Sequence, residues 1–255
     1  MSTLTTTPSA DDFRALARSS PWLFTTLHWR HGDVEAWLDR PAGRVTVRRA
    51  DGLVQVAEGV PYSTTALTFP ATSGGAGDDG DDGVVRRADG VVRRADGLVV
   101  ARPHDWHYHH GDPMWGNYVW TAMLDPVELA DDADLDGQRP RQDVTGVLVS
   151  EVTEVDHRGR RTWQAVCRPV VKSYDPRCGC CPLLDSVASR LLEYGPDDPN
   201  LAADRESLPT AYLVGLDVRT GIVVDVTPLD GTAGTSLANE IYAVDEVLTA
   251  PPVAP

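Results

Sequence analysis

The sequence predicts an α+β protein built mainly from antiparallel β-strands, with a few covering helices. Apolar residues recur at every second position in several short segments, as at Val45 and Val47, and this is the period of a half-buried strand. Tight turns such as Asp51-Gly52 separate these segments, as expected for hairpins. Helical spacing of apolar residues occurs in only a few places, so helices are a minor part of the predicted fold.

Composition and charge exclude two classes of partner. The 255 residues are 42% hydrophobic and 24% charged, which are ordinary values for a chain that buries a core. Acidic residues number 38 and basic residues 23, giving a formal charge of −15. Nucleic acids and anionic membrane surfaces are bound through Lys and Arg, so neither is an expected partner. No stretch reaches the roughly 18 apolar residues of a membrane helix, so we expect no membrane insertion.

The expected organisation is a single β-rich domain over residues 21–248. An N-terminal segment with a short helix (residues 1–20) precedes it, and a disordered tail (residues 249–255) follows. The N-terminus is polar and Thr-rich and lacks the basic and apolar regions of a secretion signal. We therefore expect a cytoplasmic protein with reduced thiols.

The N-terminal helix is predicted from its capping residues. Ser9 can cap it, and Asp12 lies near the positive end of the helix dipole. Pro21 is expected to end the helix, because proline cannot continue the hydrogen-bond ladder. Its apolar face is formed by residues at helical spacing: Phe13, Leu16 and Ala17.

From Trp22 to Val56 the period of the apolar residues is two. Turns at His31-Gly32-Asp33, at residues 39–43 and at Asp51-Gly52 divide this stretch into four short strands. Consecutive strands joined by tight turns predict a β-meander.

Residues 72–97 interrupt the pattern. The run from Ser73 to Gly83 is almost wholly Gly and Asp, which is too polar and flexible to pack. Two copies of Val-Val-Arg-Arg-Ala-Asp-Gly follow at 84–90 and 91–97. We therefore expect a flexible surface insertion at about 72–97 that lies outside the core and is dispensable for folding.

The second half of the chain alternates helices and hairpins. A helix is predicted from Asp112-Pro113 to Asp125, and another from Pro182 to Tyr194 with Gly195 as its C-cap. Two predicted hairpins turn at residues 157–160 and 219–221, and a last strand over Glu240–Leu248 is expected to close the sheet.

Two segments resemble a known superfamily. Thr162-Trp163-Gln164-Ala165-Val166, together with the hairpin Tyr212–Ile222 and its Asp-x-x-Thr-Gly turn, is similar to segments of the bacterial lipoprotein carrier LolA, the RseB sensor domain and LppX-type proteins. The whole chain also resembles an actinobacterial protein family. The LolA-like resemblance implies a strongly curved open sheet (a half-barrel) whose apolar concave face holds acyl chains or a partner's hydrophobic segment. No functional residue of that superfamily maps onto a position here.

The leading functional hypothesis is a non-enzymatic module that binds a hydrophobic ligand or a partner's apolar segment, because no complete catalytic motif is present. The candidate ligand-binding side chains are aromatic residues around the helix predicted to cover the sheet. Core packing is the alternative interpretation of the same residues. They are Trp106, Trp115, Tyr118 and Trp120.

A histidine-rich stretch carries the first alternative hypothesis, a metal site. Residues 104–110 hold four of the seven histidines and one aspartate, and imidazole with carboxylate suits zinc or nickel. A polar surface loop is the alternative interpretation. The candidate ligands are His104, His107, His109 and His110.

The cysteines carry the second alternative hypothesis, a thiol or zinc site formed by Cys178, Cys180 and Cys181. Structural zinc sites usually place two to four residues between paired thiolates. Neighbouring cysteines are separated here by one residue and by none, so we expect simultaneous ligation to be strained. Cys181 precedes a predicted helix N-terminus, which lowers a thiol pKa. Packing as a small apolar residue is the alternative, and it is the expected role of Cys167.

Overall fold

The computed structural model describes residues 7–59, 84–86, 90–103, 111–133, 140–141 and 145–252. The fold is α+β with mainly antiparallel strands, as predicted. The strands, in chain order, are β1 Thr26–His31, β2 Val34–Asp39, β3 Arg44–Arg48, β4 Val54–Glu58, β5 Val84–Arg86, β6 Val92–Arg94, β7 Val99–Ala101, β8 Asp132–Ala133, β9 Pro140–Arg141, β10 Val147–His157, β11 Arg160–Pro169, β12 Tyr212–Asp217, β13 Val223–Pro228 and β14 Leu237–Val244. The helices are α1 Ala10–Leu23, α2 Val119–Leu124, α3 Val187–Tyr194 and α4 Pro199–Asp204, with a 3-10 turn at Val127–Leu129.

Nine strands form one open antiparallel sheet in the order β10-β11-β12-β13-β14-β1-β2-β3-β4. The predicted meander forms one end, β1 to β4, and the two predicted hairpins form the other. The sequence predicted that the last strand closes the sheet, but this strand does not lie at an edge. It pairs with β13 on one side and β1 on the other, and so joins the two halves.

Helix α1 begins as predicted but extends further. The Ser9 hydroxyl accepts from the backbone N–H of Asp12, and the Asp12 carboxylate accepts from the backbone N–H of Ser9, forming a capping box. Pro21 lies inside the helix rather than ending it. It removes only one backbone donor in the last turn. The next residue, Trp22, is buried with the guanidinium groups of Arg93 and Arg102 over its ring.

Residues 90–97, at the C-terminal end of the predicted insertion, pack on α1. Strands β5, β6 and β7 form a small sheet, and Val91 beside it is fully buried. Arg94 pairs with Asp12 at 2.6 Å. The expectation that this segment lies outside the core is therefore wrong at residues 91–94. Residues 72–83 and 87–89 lie outside the described residues, and the expected flexibility stays a prediction there.

Helix α2 begins at Val119, six residues later than Pro113, the first helical position that the capping pattern predicted. Asp112 does not cap a helix, because both of its carboxylate oxygens accept from Arg40, at 2.9 and 2.8 Å. The two side chains are completely buried. A buried carboxylate is stabilised more by a bidentate guanidinium partner than by a neutral backbone donor, so the tertiary contact displaces the local one.

Helix α3 is also shorter than predicted. It begins at Val187, with Ser186 as its N-cap, and ends at Gly195 as expected. Residues 182–186 are not helical. The backbone N–H groups of Leu183 and Leu184 donate instead to the side chains of Glu128 and Tyr174.

A continuous hydrophobic core includes residues of α1, of both ends of the large sheet and of the segment that leads into α3. Trp29, Tyr212 and Leu183 are among its completely buried side chains. No helix in the described residues has the length and apolarity needed to cross a membrane.

We expect Arg40→Ala to lower the free energy of unfolding by about 3–5 kcal/mol, because it leaves the buried Asp112 carboxylate without its partner. Urea unfolding followed by tryptophan fluorescence measures the change. Arg30→Ala is the matched control, since Arg30 is about half exposed and its carboxylate partner lies 3.9 Å away; it should change the value by less than about 1 kcal/mol. Equal effects of the two substitutions would contradict the assignment of Arg40 as an anchor.

Candidate functional site

Three cysteine side chains converge on one loop between β11 and α3. The Sγ atoms of Cys178, Cys180 and Cys181 all lie within 4.8 Å of one another, and those of Cys180 and Cys181 are 3.7 Å apart. Cys180 is exposed, and the other two are half-buried. We call these residues the thiol cluster. Within the described part of the chain, they form a group of three side chains that could hold a metal ion, with donor atoms close together.

A tight turn brings the thiols together. The backbone N–H of Cys181 donates to the carbonyl of Cys178 at 3.4 Å, so the chain reverses across Gly179 and Cys180. Strained ligation is expected only for neighbouring cysteines in this cluster. The outer pair, Cys178 and Cys181, has two residues between its members, which is a usual ligand spacing. That spacing is the sequence signal that could have identified the cluster.

Glu128 fixes both ends of the loop. Its carboxylate lies in the 3-10 turn and is 3% exposed. One oxygen accepts from the backbone N–H of Leu183 at 3.0 Å and from the Tyr174 hydroxyl at 2.6 Å. The other accepts from the backbone N–H of Arg177 at 3.3 Å. Burial raises the pKa of Glu128 despite these donors. Keeping the charged carboxylate buried therefore costs free energy, which the rest of the fold offsets.

The Arg177 side chain provides a second anchor. Its guanidinium donates to the Asp125 carboxylate at 2.6 Å, and Arg102 donates to the same carboxylate at 2.5 and 3.1 Å. Burial acts to raise the pKa of Asp125, but the charges of Arg102 and Arg177 outweigh it and lower the pKa. Asp125 is therefore a carboxylate under ordinary conditions, and it ties the loop to the end of α2.

Close packing adds two further constraints on the loop. A Cβ placed on Gly179 would be 2.7 Å from the Glu193 Cβ and 2.9 Å from the Ser189 carbonyl oxygen, so the loop backbone touches α3 where only glycine fits. The backbone of Tyr118, in the segment before α2, lies next to the Cys181 thiol and acts to lower its pKa. Cys178 and Cys181 are half-buried, and Cys180 is exposed.

The three thiols differ in acidity. Hydrogen bonding from its neighbours in the loop, Cys180 first, lowers the pKa of Cys178. The thiol of Cys180 donates to Cys181 Sγ at 3.7 Å. Burial raises the pKa of Cys181. The expectation that a helix N-terminus lowers the pKa of Cys181 is wrong, because the nearest helix begins six residues later, at Val187.

The predicted aromatic residues take two different positions. Trp120 is 3% exposed, and its ring centroid lies 5.6 Å from that of Trp29 and 5.0 Å from that of Trp115. Trp115 is half-buried and donates through Nε1 to Gln55. Tyr118 is 46% exposed. Trp120 is thus a core side chain, whereas Trp115 and Tyr118 reach the surface.

The remaining predicted site residues lie outside the described residues. They are Trp106, His104, His107, His109 and His110. A histidine metal site stays a prediction.

Comparison of the chain with protein families, with curated proteins and with solved structures finds no match.

Sequence reasoning missed Glu128, Asp125 and Arg177. Each is a charged residue of a kind usually exposed, and their partners are 23 to 55 positions away along the chain. A weak sequence signal for the burial of Glu128 exists: the residue lies between the apolar residues Val127 and Leu129.

We expect iodoacetamide to alkylate the thiol cluster in the folded, reduced protein after treatment with a metal chelator, and to leave Cys167 unmodified. Cys167 is completely buried in β11, and burial raises its pKa to about 12. The reagent therefore cannot reach its sulfur, and the sulfur is not in the reactive thiolate form. Mass spectrometry of the digested protein measures the sites. Cys167 should react fully in denaturant, and its modification in the folded state at the rate of the cluster would contradict its position in the core.

Proposed function

We propose that the protein binds a thiophilic metal ion at Cys178, Cys180 and Cys181. The observation that carries the proposal is the convergence of three Sγ atoms within 4.8 Å. Three sulfurs placed around one ion at the zinc–thiolate distance of about 2.3 Å are about 4 Å apart. The loop therefore needs only small side-chain rotations to ligate an ion.

The support of the loop favours ligation over simple packing. Cysteines that serve only as small apolar residues are usually buried, as Cys167 is, whereas Cys180 is exposed. Glu128 and Asp125 hold the loop from inside the protein. Outer contacts of this kind position metal ligands and contribute to ion affinity.

The donor set indicates the class of ion. Soft thiolates select zinc and monovalent copper over hard cations such as magnesium. Three sulfurs leave one position of a tetrahedral zinc site open to water or a further donor. In a cytoplasmic compartment, which is part of this proposal, the thiols stay reduced and available to the ion.

Zinc is the first ion to test. Reduced protein purified without a histidine tag should retain about one equivalent of zinc per chain through gel filtration. Cys178→Ser, Cys180→Ser and Cys181→Ser should each lose most of it, and Cys167→Ala, which removes a distant thiol, should retain it. Elemental analysis by mass spectrometry measures the content. Retention of zinc by all three serine variants, or no uptake of zinc, copper or cadmium by the parent protein, would refute the proposal.

Glu128→Gln tests the role of the anchor. The amide keeps one acceptor oxygen but turns an N–H₂ group toward one of the backbone donors that Glu128 now satisfies. We expect ion affinity to fall about tenfold, measured by competition with a chromophoric chelator. Glu151→Gln is the control, because Glu151 is an exposed glutamate in β10; it should leave the affinity unchanged.

A second candidate function is supported by the surface next to the thiol cluster. Met114 and Tyr118 are 44% and 46% exposed beside the half-buried Trp115. We propose that a hydrophobic ligand or a partner's apolar segment binds here, on a sheet curved into the half-barrel that the superfamily resemblance implies. The three side chains lie within five residues of one another along the chain, and exposed apolar patches are typical of such contacts.

A fluorescent acyl probe distinguishes this candidate from the metal site. Saturable binding that Trp115→Ala weakens and Cys180→Ser leaves unchanged would support the hydrophobic site. Leu148→Ala is the matched control, because Leu148 is similarly exposed in β10, at 54%. No saturable change in the emission of the probe or the tryptophans would refute it.

A further inference from the structure

The outer pair of the thiol cluster has the arrangement of a dithiol that can form a disulfide. Cys178 and Cys181 stand in a Cys-x-x-Cys pattern closed by the turn hydrogen bond between them. Residues at the two ends of such a turn have Cα atoms less than about 7 Å apart, and disulfides usually span Cα separations of about 4.4–6.8 Å. Their Sγ atoms lie within 4.8 Å, so the bond of about 2 Å can form with little movement of the backbone.

The adjacent pair is a poorer choice, although its sulfurs are only 3.7 Å apart. Consecutive Cα atoms are about 3.8 Å apart across a trans peptide, below the usual range for a disulfide. A bond between Cys180 and Cys181 would therefore be strained and easily reduced.

The loop leaves Cys178 accessible to solvent and holds Cys181 close to it. The residue is half-buried rather than enclosed, so a small molecule in solvent can reach it. Glu128 and Arg177 hold the backbone on either side of the turn, which keeps Cys181 in position for the second step.

We infer that Cys178 and Cys181 undergo reversible thiol–disulfide exchange with a low-molecular-weight disulfide. The Cys178 thiolate attacks one sulfur of that disulfide, forming a mixed disulfide and releasing one small thiolate, which takes up the proton that Cys178 loses. The Cys181 thiolate then attacks the Cys178 sulfur, forms the internal disulfide and releases the second small thiol, which takes up the Cys181 proton. The two protein thiols are oxidised, and the small disulfide is reduced to two thiols.

This inference gives the cluster a means of regulation, which rests on the proposed metal binding. Oxidation converts two of the three sulfur ligands into a disulfide, and only thiolates ligate the ion strongly. The reduced cluster binds the ion and the oxidised cluster releases it. A soft ion, in turn, protects the two thiols from oxidation while it is bound.

The test uses metal-free reduced protein incubated with oxidised glutathione, quenched in acid and analysed by intact mass and peptide mapping. The parent protein should lose two hydrogen atoms and give a peptide linked through Cys178 and Cys181. Cys180→Ser should form the same link, because it keeps the outer pair. Cys178→Ser and Cys181→Ser should instead accumulate a mixed disulfide with glutathione, and circular dichroism should show all variants folded like the parent.

Two results would overturn the inference: a parent protein that stays reduced or stops at the mixed disulfide, and a link that Cys180→Ser abolishes. Zinc uptake by the same reduced samples separates this inference from the proposed function. Cys180→Ser should lose zinc and keep the disulfide. A parent protein that binds no ion but forms the link would refute only the metal proposal, and one that binds the ion but forms no link would refute only the exchange.

Discussion

The Asp125 carboxylate lies in the protein interior between the guanidinium groups of Arg102 and Arg177. Arg102 also donates to the carbonyl of Arg18 in α1 at 2.9 Å, so a single carboxylate connects the N-terminal helix, the end of α2 and the cysteine loop. Neighbouring pairs repeat the arrangement, with Arg18 on Asp131 and Arg40 on Asp112. Segments without regular secondary structure are attached to the core through these ion pairs.

Such pairs specify position more than they add stability. The free energy needed to remove both charges from water is about as large as the free energy gained from their attraction, whereas an unpaired buried charge is strongly unfavourable. A loop that detaches deprives Glu128 of its two backbone donors and Asp125 of one of its two guanidinium partners, all inside the protein. These contacts therefore favour one placement of the loop.

That placement matters for the chemistry of the thiol cluster. An unconstrained chain of four residues would lose conformational entropy on gathering three side chains around an ion or on closing a disulfide. Here the fold has already fixed the backbone, so metal ligation and disulfide formation lose less conformational entropy. Metal binding and disulfide formation compete for the same sulfurs, and the buried carboxylates support both because they act on the backbone and not on the thiols.

The sequence by itself determined the elements whose signals are local. Alternating apolar residues in β1 to β4, the Ser9 cap of α1, the two hairpin turns and Gly195 after α3 were all predicted, because period, cap and turn chemistry depend on near neighbours. Only the tertiary structure decided the rest. Asp112 binds Arg40 instead of capping a helix. The residues predicted to begin α3 are not helical, because the backbone N–H groups of Leu183 and Leu184 donate to Glu128 and Tyr174. The three thiols lie close together on a loop that is held by residues about fifty positions away along the chain. In each case a buried charge or hydroxyl outweighed the local preference, because a polar group removed from water must find its partners wherever the fold brings them.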